Sequence, residues 1–354
     1  MTNAVKRIGV LTSGGDAPGM NAAIRAVVRS AIYRGIDCVG IRRGFNGLIN
    51  GDFVRLDENS VNHIINRGGT MLYTARSEEF RTVEGQQRAA ATCKLLGLDG
   101  IVGIGGDGTF RGATDMTEHG VPCVGLPGTI DNDITSTDFS IGFDTAVNTT
   151  IEMVDRLRDT CESHARCNVV EVMGRDAGDI ALQTAIAVGA SAVAIKEIPF
   201  DEAGMIEELK NSREKGKRNF IIIVSEGLPG YGEKLTDLIP EKTGIETRFA
   251  RPAHVVRGGS PTLRDRMLGS EMGAAAVEAL LEGKSNIVLC EQKGEITTMD
   301  IGKALILDRM YKDKLKDGDL QKFDAETVAW MREFCAEKFA AFKKMYDLSI
   351  EISK

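Results

Sequence analysis

The sequence predicts an α/β protein built as two doubly wound domains with mainly parallel sheets. Three observations carry that prediction. Short apolar runs alternate with longer segments of helical period almost from end to end, which is the pattern of βαβ units with helices on both faces. The runs are continuously apolar, as strands covered on both faces require. At 354 residues the chain has the length of about two ordinary domains.

Taken in order, Ile8–Leu11 reads as a strand, Met20–Ile32 as a helix, Cys38–Ile41 as a strand and Glu84–Leu96 as a helix. Further strands are expected at Ile101–Ile104, Cys123–Leu126, Val169–Met173, Ala192–Ile195, Phe220–Val224 and Ile287–Cys290. Helices are expected over 109–119, 144–159, 177–188, 202–215, 262–282 and 324–346. In the last of these, Val328, Met331, Cys335, Phe339, Phe342 and Tyr346 recur at spacings of three and four. That stripe predicts a buried face, within the subunit or against a neighbour. No Pro- or Ser-rich linker divides the chain, so the domains are expected to be joined by crossing elements.

Hydrophobic residues make up 42% and charged residues 27%, which excludes a disordered or fibrous chain. Forty-four Lys and Arg against 51 Asp and Glu leave a net charge of −7, a poor match for nucleic acid or an anionic membrane. The seven cysteines form no Cys-x-x-Cys and read as reduced thiols of a cytoplasmic protein. The four histidines lack metal-ligand spacing. The opening MTNAVKRIGV runs straight into a strand and no apolar run is long enough for a membrane helix, so neither signal peptide nor membrane span is expected. Glycine is the outlier, at 40 residues, about 11% where about 7% is usual.

Many of those glycines stand at strand ends. Ile8 to Asn21 reads as a strand, a glycine turn and a helix start, which can offer backbone N–H groups to a phosphate or can merely connect two elements. Ile104-Gly-Gly-Asp-Gly-Thr109 repeats the arrangement around one carboxylate. Asp107 there suits a magnesium ion carried by a polyphosphate, or a helix cap. Leu126-Pro-Gly-Thr-Ile-Asp-Asn-Asp133 places Asp131 and Asp133 after a strand end, as a general base for an alcohol or as an Asx turn. Arg76, Arg166, Arg175, Arg248, His254 and Arg257 sit at element ends close to glycines. They are candidates for a phosphate-binding pocket or for surface ion pairs.

The combination of LTSGGDAPGMNAAIR, NRGGT, GGDGT, PGTIDND, RLRDT, EVMGR and RGGSP, in order over roughly residues 6–310, resembles the bacterial ATP-dependent 6-phosphofructokinases. The resemblance implies the phosphofructokinase fold. It implies a discontinuous nucleotide-binding domain, 1–142 with 256–308, and a sugar-phosphate domain, 143–255 with 309–354 including a C-terminal helical extension. The implied activity is transfer of the γ-phosphoryl of MgATP to the 1-hydroxyl of fructose 6-phosphate. Asp131 is then the base and Thr129 orients the sugar. Asp107 holds Mg2+, and Gly14, Gly106, Gly108 and Thr109 cradle the nucleotide phosphates. Arg76 and Arg175 stabilise the transferring group. Arg166, Arg248, His254 and Arg257 grip the 6-phosphate, with Met173, Gly174 and Glu226 against the sugar. Arg166 and Arg248 are expected to reach in from a neighbouring subunit of a homotetramer.

Pyrophosphate-using relatives usually carry Asp in place of Gly108 and Lys in place of Gly128, so the glycines favour ATP. The alternatives are a pyrophosphate-dependent phosphofructokinase or a nucleotide-binding regulatory subunit. NAD and diacylglycerol kinases share the GGDGT string, but PGTIDND and EVMGR argue against them. Arg25, Arg29, Arg158, Lys215 and Lys217 match the family's effector site. The chain departs from the family at Asp52, where arginine is expected, at Ser191, where many members have glutamate, and at Ala253, which stands in place of a glycine.

Overall fold

The computed structural model describes residues 5–353. From the N-terminus run β1 (Arg7–Thr12), α1 (Met20–Tyr33), β2 (Asp37–Ile41), α2 (Phe45–Asn50), β3 (Phe53–Leu56), α3 (Val83–Leu96), β4 (Gly100–Gly105), α4 (Asp107–Glu118) and β5 (Cys123–Pro127). Then follow α5 (Phe143–His164), β6 (Cys167–Val172), α6 (Asp179–Val188), β7 (Ala192–Ala194), α7 (Glu202–Glu214), β8 (Phe220–Ser225), α8 (Tyr231–Thr243) and β9 (Thr247–Ala250). The chain closes with α9 (Leu263–Leu281), β10 (Ile287–Gln292), β11 (Glu295–Asp300), α10 (Ile301–Tyr311) and α11 (Ala325–Glu351).

These elements form two units. The first contains the chain up to Ile130, Ile134–Thr145 and Arg257–Cys335. The second contains Asp131–Asp133, Ala146–Val256 and the chain from Ala336. Residues 309–335, expected with the sugar-phosphate half, therefore group with the first unit. The cause is apolar: Met331 is buried with Ile306 and Leu307 of α10, and Leu320, Phe323 and Phe334 pack on that cluster.

The first unit is built on a seven-stranded sheet in the order β11-β10-β5-β4-β1-β2-β3. Its inner strands pair in parallel, and β3 and β11 close the edges antiparallel. Every residue of β4 and β5 is buried, as their unbroken apolar runs demand. The edge strand β11 reads Glu-Ile-Thr-Thr-Met-Asp and is largely solvent-facing, so it offered no apolar run to recognise. The strand order reverses between β1 and β4, since β2 lies on one side of β1 and β4 on the other. Open α/β sheets bind ligands outside the carboxyl ends at such a reversal.

The second unit holds a wholly parallel sheet in the order β7-β8-β6-β9. Val169, Phe220, Ile222 and Val224 of its inner strands are buried against Leu235 and Ile239 of α8. That helix was hidden in the sequence by Gly232 and an internal Pro240. On α11 the apolar stripe is buried at Met331, Phe342 and Tyr346, whereas Phe339 is 40% exposed.

Candidate active site

In the first unit, three glycine-bearing turns leave the carboxyl ends of adjacent parallel strands. Thr12 at the end of β1 is paired with Ile104, and Gly105 at the end of β4 with Pro127 of β5. The turns are stitched together: Ser13 N donates to Ile104 O at 3.0 Å, Thr109 Oγ1 to Ser13 O at 3.1 Å, and Gly128 N to Gly105 O at 3.0 Å. A Cβ at Gly105 would stand 2.3 Å from Ser13 O, so the turns close on each other only through glycine. The buried Thr109 spends its hydroxyl on this clamp.

Helix α4 starts at Asp107 with Gly106 as its N-cap and no side-chain cap. Its first N–H groups are therefore offered to an anion, with the positive end of the helix behind them. No atom lies within 4 Å of where a Cβ would stand on Gly106, Gly108 or Gly14. Around these three backbone positions there is room for a phosphate chain. Asp107 has 24% of its side chain exposed, and its Oδ2 lies 3.7 Å from Arg111 Nη2. Among the described residues no group of three or more His, Cys, Asp or Glu could hold a metal ion. Magnesium accepts one carboxylate plus phosphate oxygens and water, so Asp107 beside this cradle fits an ion that arrives with its polyphosphate.

Arg76 is set by two ties. Thr12 Oγ1 donates to Tyr73 O at 2.9 Å, and Thr74 Oγ1 donates to Gly14 O at 2.6 Å. The exposed Arg76 thus follows, two residues on, a segment pinned to the first glycine turn. Arg257 also stands at that turn. Its Nη1 donates to Asp16 O at 3.3 Å, and a Cβ on Gly15 would lie 2.7 Å from it. Thr129 is buried and holds Ser140, whose hydroxyl donates to Thr129 O at 2.7 Å.

In the second unit, Asp131 is 1% exposed and its Oδ2 lies 3.1 Å from Arg175 Nε. Arg175 rides on the loop between β6 and α6. Glu226 Oε1 anchors that loop by accepting from Gly174 N at 3.1 Å and Arg175 N at 2.8 Å. Arg175 itself has φ of +54° and Gly174 of +140°, a strained turn held by its surroundings. Beside it a cavity of about 380 Å³ is lined by Met173, Glu226, Gly230, Arg251 and His254, with Glu171 at its wall.

The structure thus brings Met173, Glu226 and His254 together and leaves Arg166 and Arg248 off this cavity. Those two arginines share one carboxylate instead. Arg166 Nε lies 2.9 Å from Glu246 Oε2, and Arg248 Nη2 lies 2.5 Å from Glu246 Oε1. Arg251 was not foreseen. It is paired with Glu171 at 2.7 Å and Glu233 at 2.8 Å, and its guanidinium lies 5.2 Å from the centre of the Phe249 ring. A lone arginine before a proline gave no hint of this, because its partners come from β6 and α8.

The effector candidates fall in both units. In the second, Arg158 donates to Val188 O and to Asn219 Oδ1, and Lys217 Nζ lies 3.3 Å from Ser191 Oγ. Burial and the nearby Arg158 charge lower the pKa of Lys217. Lys215 ends α7. In the first unit, Arg29 donates to Glu58 O and to Asn62 Oδ1, and Arg25 lies a turn earlier on α1. Asp52 is already paired with Arg43 at 2.5 Å and Arg42 at 3.9 Å. Among the described residues no helix is long and apolar enough to cross a membrane.

A family model for phosphofructokinase matches residues 7–280. The ATP-dependent 6-phosphofructokinase of Bacillus subtilis is 54% identical over 297 residues, 84% of this chain and 93% of that one. The protein of the same name from Shouchella clausii is 53% identical over 305 residues, 86% of this chain and 95% of that one. Among solved structures, the phosphofructokinase of Saccharomyces cerevisiae superimposes with a TM-score of 0.82 at 34% identity over 93% of this chain. The chain spans half the length of that yeast polypeptide.

Proposed function

The chain belongs to the phosphofructokinase family, and we propose that it divides one reaction between its two units. The activity is that of an ATP-dependent 6-phosphofructokinase, a glycolytic kinase. The γ-phosphoryl of ATP passes to the 1-hydroxyl of fructose 6-phosphate, and the products are fructose 1,6-bisphosphate and ADP.

The first unit binds the nucleotide. The glycine turns and the start of α4 take its phosphates, and Asp107 holds the magnesium ion that accompanies ATP, which when bound offsets the charge of the phosphate oxygens. The second unit binds the sugar phosphate in the cavity walled by Met173, Glu226 and His254. Asp131 accepts the hydroxyl proton as the oxygen attacks. Arg175 and Arg76 neutralise charge on the group in transfer, and Thr129 orients the acceptor. The observation that carries this reading is the Asp131–Arg175 pair. It is a nearly inaccessible carboxylate fixed at 3.1 Å by a guanidinium from the loop that also forms the cavity wall.

Arg166 and Arg248, held together by Glu246 away from their own chain's cavity, complete the 6-phosphate site of a neighbouring subunit in a homotetramer. Arg257 also contacts the 6-phosphate. Arg25, Arg29, Arg158, Lys215 and Lys217 take a phosphorylated effector. The substrates and the seven free cysteines suit a reducing cytoplasm.

The reading is tested by Asp131→Asn, assayed with fructose 6-phosphate and MgATP. The expected loss in kcat is at least the about 10²–10⁴-fold of a missing general base, and a near wild-type kcat contradicts it. Mixing inactive Asp131→Asn and Arg166→Ala subunits restores activity if sites are shared. No recovery in verified hybrids excludes sharing.

A further inference from the structure

The loop that carries Arg175 ends at Asp179, the first residue of α6. Two consecutive residues of the catalytic segment are therefore gripped by one loop, four positions apart. Arg175 Nε meets Asp131 Oδ2 at 3.1 Å, and Asn132 Nδ2 donates to Asp179 Oδ1 at 3.3 Å. We propose that Asp179 is a positioning residue for this kinase, holding Asn132 so that the Asp131 carboxylate stays aimed at the acceptor hydroxyl.

Backbone geometry gives the grip its purpose. Asn132 has φ of +52°, in the left-handed region, which asparagine enters more readily than other side chains. It is 6% exposed. Its side-chain amide is hydrogen-bonded to Asp179, a tie from outside the segment. Without it, relaxation at 132 rotates the neighbouring peptide that bears Asp131.

The other end of the grip is equally firm. Gly178 N donates to Glu197 Oε1 at 2.7 Å, and a Cβ on Gly178 would lie 2.8 Å from Ile195 Cγ2 and Glu197 Oε2. The start of α6 is thereby fixed against the strand end after β7. Burial raises the pKa of the Asp179 carboxyl, with the Asp133 charge adding to the rise and Lys338 of α11 and the Asn132 amide opposing it. Glu197 is raised as well, by burial first and in part by Asp179. An acid kept in such a place is costly as mere helix decoration. Its hydrogen bond to the catalytic segment supplies a reason for it.

The inference rests on Asp131 acting as the base, which Asp131→Asn tests by itself. Four variants are assayed with fructose 6-phosphate and MgATP, with Tm measured on each: Asp131→Asn, Asp179→Ala, Asp179→Asn and Asn132→Ala. A misplacement of about 1 Å at a reacting group costs up to about 10²-fold. Asp179→Ala is therefore expected to lower kcat by about 10-fold or more, with KM for the sugar phosphate changed by less than about threefold. Asp179→Asn, which keeps an oxygen acceptor, recovers most of that loss, and Asn132→Ala reproduces it even where Asp179→Ala folds poorly.

The proposal is overturned by wild-type kcat in Asp179→Ala or Asn132→Ala. An effect on KM or Tm alone, or an Asp179→Asn as impaired as Asp179→Ala, also overturns it. An active Asp131→Asn removes the reading beneath it, whereas an inactive Asp131→Asn with normal Asp179 variants removes only the inference.

Discussion

Arg175 Nε stands 3.1 Å from Asp131 Oδ2, and the two residues reach that distance from separate loops, one after β5 and one after β6. The carboxylate is 1% exposed while 56% of the arginine side chain remains open to solvent. More than half of the arginine side chain is thus left open to a charged ligand. Arg175→Ala should lower kcat by about 10³-fold or more, the lower end of what a charge-stabilising arginine supplies to phosphoryl transfer. Arg175→Lys should recover little of it, because an ammonium cannot serve carboxylate and phosphoryl group with one planar fork. Full activity in the lysine variant would refute a bidentate role.

On the proposed function, the choice of donor turns on Gly108. A Cβ there meets nothing within 4 Å, so Gly108→Asp is expected to fold normally and to place a negative charge in the cradle proposed for the nucleotide phosphates. Its kcat/KM for ATP should drop by at least about 10-fold, at least about 1.4 kcal/mol of lost transition-state stabilisation, with a smaller loss for pyrophosphate. Equal losses with both donors would contradict the steric and electrostatic account. Gly128 is different, since a Cβ there would stand 2.9 Å from Ile104 Cγ2 and 3.1 Å from Met20 Cε. Its replacement should disturb packing whichever donor is used.

Ala253 has φ of +51°, a conformation that costs a non-glycine residue about 1–2 kcal/mol. Ala253→Gly removes that strain and gives back a part as unfolded-chain entropy. A net gain of about 1 kcal/mol in unfolding free energy is expected from denaturant titration. An unchanged or lower stability would mean that the loop before His254 is not strained.

Asp265 accepts from Gly142 N at 2.7 Å, Thr145 N at 2.8 Å and Thr145 Oγ1 at 2.5 Å. Burial nevertheless pushes its carboxyl from 3.8 up to about 6. The folded chain therefore holds this proton more tightly than the unfolded chain does. The stability it contributes is complete below about pH 4 and is lost as pH rises through about 6, a change of about 3 kcal/mol. Asp265→Asn cannot titrate. Its stability relative to the parent should climb by up to that amount between pH 4 and 7, and a difference independent of pH would contradict the assignment.

Local position was legible in the sequence; distant partnership was not. Gly105, Asp107 and Asp131 could be singled out because each follows a continuous apolar strand, where α/β sheets bind ligands. Arg257 was grouped with the 6-phosphate contacts, and the bond from its guanidinium to Asp16 O, 241 positions away, could not be read from the sequence. Arg251 and Asp179 went unnoticed for the same reason, since their meaning comes from Glu171 and Asn132, which the chain brings in from other elements. The antiparallel edge β11 was missed because it shows no continuous apolar run, and α8 because Gly232 and Pro240 interrupt its apolar period.

The central claim is tested most directly by steady-state turnover of the purified chain with fructose 6-phosphate, comparing MgATP with magnesium pyrophosphate and identifying the product. The account predicts fructose 1,6-bisphosphate and ADP from ATP, with pyrophosphate supporting little or no turnover. Turnover with pyrophosphate at equal or greater kcat/KM, or none with ATP, would contradict it.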